Sequence, residues 1–113
     1  MNNENLGQKH CIPCERGTLP LLDDERSDFI QKVNNWELDG EKAIEKILVF
    51  KNFAEALAFV NTVGVIAEKE NHHPNISIFN WNKVKITLST HSIGGLSEND
   101  FILAAKIDEL LAK

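Results

Sequence analysis

The segment from Phe53 to Glu70 constrains the fold of this chain more than any other. Asn52 stands before it, with Glu55 three residues further on, and Pro74 follows it. An asparagine followed by a glutamate at this spacing resembles a capping box, and proline blocks further helix. The segment therefore predicts one long helix.

The apolar surface of this helix is wider than packing against one core requires. The polar residues Glu55, Thr62 and Lys69 repeat every seven positions, with Asn61 beside them, and almost every other residue up to Ala67 is apolar or small. A helix that covers a core on one side needs a narrower stripe. Two interpretations follow: a central helix in a small core, or a helix that also packs against a second subunit.

The segments on both sides of this helix predict two hairpins and two further helices. In chain order the predicted elements are a helix within residues 23–35, a strand from Trp36 that ends in an Asp39-Gly40 turn, a strand at 44–50, the long helix, strands at 76–81 and 83–90, and a helix starting at Ser97. The apolar run 47–50 predicts a second strand covered on both faces. The order α-β-β-α-β-β-α predicts an α+β fold of two layers, with helices covering one face of a four-stranded antiparallel sheet.

The composition is that of one globular domain and argues against several kinds of partner. The chain has 113 residues and a net charge of −5, so a broad basic surface for nucleic acid is not expected. It has neither a run typical of a membrane span nor the start of a signal peptide, so we expect a cytoplasmic protein without membrane contact. Residues 1–20 are polar and without a period, which predicts a flexible arm before a domain at 21–113.

A CxxC pair, Cys11 and Cys14, lies in this arm beside His10. A redox motif of the thioredoxin kind would stand between a strand and a helix, whereas Gly17 and Pro20 follow here. Half of a zinc site, completed by another subunit, is an alternative. We favour a plain reduced pair on the arm.

Three histidines cluster late in the chain. His72 and His73 stand between the predicted helix end and Pro74, and His91 follows the last strand on its polar parity. Histidine suits proton transfer because its pKa lies near neutrality. Each histidine alone could be structural or solvated, but an adjacent pair in a connection has no evident folding role.

Two carboxylates are candidates for supporting these histidines. Glu68 lies four residues before His72, so a continuous helix would let it orient that imidazole. Asp100 is the third residue after Ser97, which is also the pattern of a capping box. A catalytic metal held by the histidines is an alternative that the spacing does not favour, because zinc motifs on a helix place paired histidines four residues apart.

The order of these residues resembles the signature of a known family. Residues 68–74 read Glu-Lys-Glu-Asn-His-His-Pro and are followed by Trp81, His91 and Asp100. This series resembles the pterin-4a-carbinolamine dehydratases, and residues 82–91, the Gly-Leu-Ser-Glu that follows, Trp36-Glu-Leu and Phe50-Lys-Asn-Phe are equally typical of that family. The similarity covers roughly residues 20 to 112.

The resemblance implies an activity that needs no cofactor or metal. The family removes water from a 4a-hydroxytetrahydropterin and gives a quinonoid dihydropterin, as in tetrahydrobiopterin biosynthesis and recycling. On this basis the chain would be a 4a-hydroxytetrahydrobiopterin dehydratase. The alternative is a pterin-binding or protein-dimerising module of the same fold without turnover.

The resemblance also implies roles for individual residues and a partner. His72, His73 and His91 would be the acid–base and pterin-positioning groups. Glu68 and Asp100 match acidic positions that line or support the site, and Trp36 matches an aromatic beside it. The family forms homodimers that can pair into tetramers through their long helices, here Phe53–Ala67.

Overall fold

The computed structural model describes residues 6–13 and 18–112 of the chain. Cys14, the second cysteine of the CxxC pair, lies outside these residues. The helices are α1 (Asp23–Ile30), α2 (Phe53–Glu70) and α3 (Glu98–Leu111), and the strands are β1 (Glu37–Asp39), β2 (Ala43–Val49), β3 (Asn75–Phe79) and β4 (Lys83–Leu88). Short 3-10 turns are found at Leu6–Gln8 and His91–Ile93.

The four strands form one antiparallel sheet in the order β1-β2-β4-β3. Each strand is joined to its sequence neighbour by a hairpin, and α2 connects the two hairpins, so that β2 and β4 pair in the middle. In this central pair Ile44 lies opposite Leu88 and Leu48 lies opposite Val84. The observed order of elements and the antiparallel sheet confirm the predicted α+β fold.

The core lies between one face of this sheet and the helices. Side chains alternate along a strand, and β4 accordingly buries Val84, Ile86 and Leu88, while β2 buries Ile44. From the helical layer, α3 contributes most, because Phe101–Ala104 and Ile107 are fully or almost fully buried. The Phe101 ring stacks on Phe29 of α1 at 5.2 Å between centroids, which ties the first helix to the last.

The prediction that β2 is covered on both faces is wrong for the single chain. Ile47 and Val49 point away from the helices and are 54% and 66% exposed. Across β4 their partners are Lys85 and Lys83, whose polar side chains share this outer face. Period-two alternation of the sheet therefore decides their exposure, although the residues themselves are apolar.

The long helix has the predicted bounds, and its start is capped as expected. The Asn52 side-chain oxygen accepts a hydrogen bond from the Glu55 N–H at 2.8 Å. In a capping box the glutamate accepts a hydrogen bond from the N–H of the cap residue. Here the Glu55 carboxylate accepts instead from the N–H of Lys51, the residue before the cap, at 3.2 Å. The buried side of α2 consists of Ala56, Phe59, Val63 and Ala67.

Two smaller predictions are corrected by the backbone. The first helix ends at Ile30 rather than near Asn35, which adopts a left-handed conformation with φ of 61°. Trp81, predicted in a strand, instead lies in the turn between β3 and β4. Asn80 and Trp81 both have positive φ there, as in the primed turns that match the twist of a hairpin.

Across the described ranges, no helix has both the length and the apolar character needed to cross a bilayer. The cytoplasmic location and the division into an arm and a domain stay predictions of the sequence.

Candidate active site

The end of α2 positions the adjacent histidines. Asn71 follows the helix in a left-handed conformation, with φ of 53°. Its N–H donates to the Glu68 carbonyl, and the His72 N–H reaches back to the Ala67 carbonyl at 3.2 Å. These two bonds form a Schellman motif, which satisfies the last carbonyls of the helix and turns the chain away from its axis. His72 is thus fixed to the helix end by its own backbone.

The His72 imidazole is held by a fully buried carboxylate. Its Nε2 lies 2.6 Å from Oδ1 of Asp100, and the Asp100 side chain is 0% exposed. The other oxygen, Oδ2, accepts from the Thr90 hydroxyl at 2.8 Å and from the Ser97 N–H at 3.0 Å. Asp100 therefore caps α3, as its spacing from Ser97 suggested, and also orients a histidine, because its two oxygens serve different partners.

Thr90 reaches Asp100 because the loop after β4 folds back on itself. The Thr90 N–H donates to the Gly95 carbonyl at 2.8 Å, and Gly94, with φ of 68°, permits the tight return between them. The Thr90 and Ser97 hydroxyls are also 2.8 Å apart. This loop carries His91 at its start, so the same closure places the third histidine.

His73 is paired with Glu68, not His72 as the helical spacing suggested. The distance from Nε2 of His73 to Oε2 of Glu68 is 2.5 Å, and both side chains are largely exposed. The i to i+4 relation fails because α2 ends at Glu70 and Asn71 redirects the chain. The adjacent imidazoles consequently have opposite surroundings: His72 is mostly buried, whereas His73 is 54% exposed.

The three histidines line one cavity of about 530 Å³. Ser89 and Thr90 at the end of β4 contribute to it, and so do Lys69 to Asn71 at the end of α2. His91 opens onto solvent beside the pair, and within the described ranges its ring has no hydrogen-bond partner. The structure thus brings together the three histidines predicted from the sequence.

A larger cavity, of about 670 Å³, lies between the start of α1 and Gly94–Gly95. Arg26 lines it, but its guanidinium already pairs with Asp23 and donates to the Leu21 carbonyl at 2.6 Å. None of the histidines lines this space, so it offers no comparable acid–base group.

One wall of the histidine cavity comes from the N-terminal segment, which the sequence did not predict. Cys11, Ile12 and Pro13 lie along it. Burial, together with the negative charges of Glu70 and Asp100, raises the pKa of the Cys11 thiol to about 12. The thiol is therefore neutral at physiological pH and donates to the Asn99 carbonyl at 3.6 Å.

Glu70, the last residue of α2, is a second group that the sequence analysis missed. Burial raises the pKa of its carboxyl, but hydrogen bonds from the Cys11 N–H and His10 and the charge of Lys106 outweigh that effect, so the pKa lies below its ordinary value. Glu70 is one of two glutamates near the helix end, and nothing in the pattern showed that it, rather than Glu68, faces the arm.

The structure does not bring Trp36 into this cavity. Its ring is buried in the core, where Nε1 donates to Oδ1 of Asp108 at 2.9 Å. Lys46 lies 5.7 Å from the ring centroid and 2.8 Å from the same carboxylate. These contacts assign Trp36 to a buried cluster between β2 and α3.

In residues 6–13 and 18–112, no three histidine, cysteine or carboxylate side chains are grouped so that they could bind a metal ion. What the cavity offers is acid–base chemistry. An ionised carboxylate only accepts, so Nε2 of His72 and of His73 carries the hydrogen, and Nδ1 of each ring is left as a proton acceptor. The fold and site thus define a small α+β protein in which three imidazoles line one cavity.

Similarity to known proteins shows to which family within this class the chain belongs. The sequence model of the family Pterin 4 alpha carbinolamine dehydratase matches residues 19–110, so the chain belongs to the pterin-4a-carbinolamine dehydratase family. A protein of Alkaliphilus metalliredigens named "Putative pterin-4-alpha-carbinolamine dehydratase" is 49% identical over 106 residues, which cover 93% of this chain and 95% of the relative. A protein of the same name from Rubrobacter xylanophilus is 45% identical, with 93% of this chain and 97% of the relative covered.

Solved structures share the fold. A transcriptional coactivator/pterin dehydratase from Brucella melitensis superimposes with a TM-score of 0.75 at 33% identity, covering 80% of this chain and 97% of that one. A pterin dehydratase-like protein identified as a RuBisCO assembly factor in the alpha-carboxysome gives a TM-score of 0.57 at 28% identity, covering 68% and 89%. Proteins of this fold are thus described both as dehydratases and as partners of other proteins.

Proposed function

We propose that this protein dehydrates a 4a-hydroxytetrahydropterin to a quinonoid dihydropterin, with 4a-hydroxytetrahydrobiopterin as the first substrate to test. The observation that carries the proposal is the cavity in which His72, His73 and His91 meet, one of them fixed on buried Asp100. Such a product would serve tetrahydrobiopterin biosynthesis or recycling in the cytoplasm.

The reaction is an elimination that calls for two proton transfers. The hydroxyl at C4a leaves as water when it gains a proton, and N5 loses its proton as the C4a–N5 double bond forms. A base near N5 and an acid near the hydroxyl accelerate this step, typically by about 10²–10⁴-fold for each group. His72 and His73 suit the base, because a carboxylate holds one nitrogen of each ring and leaves the other as an acceptor.

Glu68 and Asp100 act in this proposal through the histidines that they orient. Each carboxylate fixes a ring nitrogen and stabilises the imidazolium that forms when the ring takes a proton. Asp100 does so inside the protein and Glu68 at its surface. We therefore expect Asp100 to contribute more, since solvent and salt weaken an exposed pair.

The proposal is tested by following the absorbance of a freshly generated carbinolamine with time. The wild-type protein should accelerate its decay above the buffer rate, and His73→Ala should lower kcat by about 10²-fold or more. Asp28→Ala, an exposed change on α1, is the control and should leave the rate unchanged. Decay at the buffer rate with folded wild-type protein contradicts the dehydratase function.

A second candidate function is a protein-binding module of the same fold. It is favoured by the structural relative that is named as a RuBisCO assembly factor. This alternative predicts pterin or partner binding that persists when His72 and His91 are replaced, without turnover. Binding measured beside turnover in the same variants separates the two functions.

We further propose that the protein forms homodimers or homotetramers through Phe53–Ala67. Phe53, Leu57 and Val65 are exposed and are spaced by multiples of four, so they share a face of α2 that turns away from its buried side. An exposed apolar face of this kind is typical of an interface. Leu57→Glu should dissociate the assembly in sedimentation experiments, and a monomeric wild-type protein would contradict the proposal.

A further inference from the structure

The N-terminal segment Leu6–Pro13, called here the docked arm, forms a wall of the histidine cavity that the proposed function does not use. Leu6 is buried in the core, and Nζ of Lys106 on α3 donates to the Gly7 carbonyl at 2.8 Å. Cys11, Ile12 and Pro13 at the other end line the cavity. The described part of the arm therefore lies against α3 and reaches the cavity.

Two side chains hold the cavity end of the docked arm by its backbone. The Asn99 amide oxygen accepts from the Ile12 N–H at 3.0 Å, and its amino group donates to the Ile12 carbonyl at 2.5 Å. The Glu70 carboxylate accepts from the Cys11 N–H at 2.7 Å and lies 2.9 Å from Nδ1 of His10. Because Asn99 and Glu70 are themselves largely buried, these contacts fix the course of the arm.

The side chain of Ile12 is exposed although its peptide groups are fixed. It is 70% exposed and borders the cavity, so its aliphatic surface is available to a ligand that enters. Because its backbone is ordered in the absence of ligand, binding does not require a further loss of backbone entropy at this residue. The neighbouring Cys11 thiol is neutral, so this wall presents no charge of its own.

We propose that Ile12 contacts the substrate and covers one face of the bicyclic pterin, while Asn99 and Glu70 are positioning residues that keep it there. This inference rests on the proposed function, since it names a further contact of the same site. The bicyclic substrate has a tetrahedral C4a whose hydroxyl projects from one face, so the histidines can act on that side and at N5 while an aliphatic side chain covers the opposite face. The docked arm then contributes to affinity for bicyclic pterins.

Substitution of Ile12 tests the contact without disturbing the core. Ile12→Ala removes aliphatic carbon that the bound ligand would cover, so it should raise KM about tenfold and leave kcat within about twofold. The Kd for 7,8-dihydrobiopterin, which has no 4a-hydroxyl to lose, should rise by the same factor in titration calorimetry. Ile12→Leu should restore both values. Leu19→Ala removes a side chain that is 83% exposed and outside the cavity, and it should change neither.

A double-variant cycle tests the positioning role of Asn99. If Asn99 acts by holding Ile12, Asn99→Ala should raise KM and Kd, and adding Ile12→Ala should bring little further change. If Asn99 merely stabilises α3, the melting temperature would fall, Kd would stay unchanged, and the two substitutions would be additive. The first pattern supports the positioning role and the second contradicts it.

The outcomes separate this inference from the proposed function. Turnover by the wild type, with KM and Kd unchanged in Ile12→Ala, overturns the substrate contact and leaves the dehydratase function standing. Binding of the dihydropterin that weakens in Ile12→Ala, without any turnover, supports the contact and overturns the dehydratase function. A wild-type protein that neither binds nor turns over pterins overturns both.

Discussion

Helix α3 carries two buried carboxylates, Asp100 in its first turn and Asp108 two turns later, and they are held in different ways. Asp108 accepts hydrogen bonds from Lys46, Trp36 and the Asn34 N–H, all between 2.8 and 2.9 Å. All three groups can only donate. Asp100 accepts from Thr90 and the Ser97 N–H, but its remaining partner is the imidazole of His72, which lines a cavity.

The difference predicts that burial alone does not mark a carboxylate as functional. Asp108 compensates the charge of Lys46 and joins β2 to α3, so its role is complete within the core. Asp100 is buried even more completely, but its partner His72 lines a cavity that a ligand can enter. We therefore expect substitutions at Asp108 to change stability and substitutions at Asp100 to change catalysis.

The largest effect should follow Asp108→Asn. The substitution leaves the Lys46 ammonium buried without a negative partner, and breaking a buried pair in this way typically costs about 3–5 kcal/mol. We expect a fall of that size in the free energy of unfolding, measured by urea denaturation, with kcat unchanged at temperatures where the variant is folded. A loss of kcat in folded Asp108→Asn would remove the distinction between the two carboxylates.

The next largest effect should follow Asp100→Asn. The amide oxygen can still accept from Thr90 and Ser97, but its amino group would face Nε2 of His72 and favour the other tautomer. We expect kcat to fall by about 10- to 100-fold, with a loss of stability near 1 kcal/mol. Stopped-flow assays and urea denaturation of the same preparation measure both. Full activity in this variant would mean that Asp100 is only a cap.

A smaller effect is expected from Trp36→Phe, which removes one donor to Asp108 and keeps an aromatic ring. The unfolding free energy should fall by about 1–2 kcal/mol, because the carboxylate retains its other donors. KM should stay unchanged, since the buried ring does not line the histidine cavity. A severalfold rise in KM would instead support the aromatic contact with pterin that the family resemblance implies.

The smallest effect concerns Glu70, a third largely buried carboxylate. Its folded-state pKa lies below its ordinary value of 4.5, so the ionised form stabilises the fold above that pH, and the contribution is lost as the pH falls below it. Urea denaturation between about pH 6 and pH 3 should show wild type losing stability faster than Glu70→Gln. Parallel curves for the two proteins would show that the contacts of the docked arm add no pH dependence.

Local signals predicted much of this structure correctly. The start of α2 could be predicted because an asparagine cap acts three residues away, and the hairpins because strand alternation is a short-range pattern. The shared position of the histidines was predicted from their order along the chain and from resemblance.

The contacts that the sequence did not reveal join residues far apart in the chain. His72 and Asp100 are 28 positions apart, and Asn99 meets Ile12 across 87 positions. No periodicity shows such pairs, so Glu68 was assigned to the wrong histidine and the docked arm was missed. The contact between Trp36 and Asp108 also joins distant parts of the chain, and the sequence does not indicate which residue the indole N–H will contact.

The left-handed Asn71 has a consequence for how this protein can vary in length. Connections between helices and strands usually tolerate an extra residue. Here His72 contacts buried Asp100 and its neighbour contacts surface Glu68. Inserting one residue after Asn71 would put the new side chain opposite Asp100 and move the first imidazole to the exposed position beside Glu68. Both histidines would remain in the chain, but the contact with Asp100 would be lost. Insertions and deletions, more than substitutions, are what this short connection cannot accommodate.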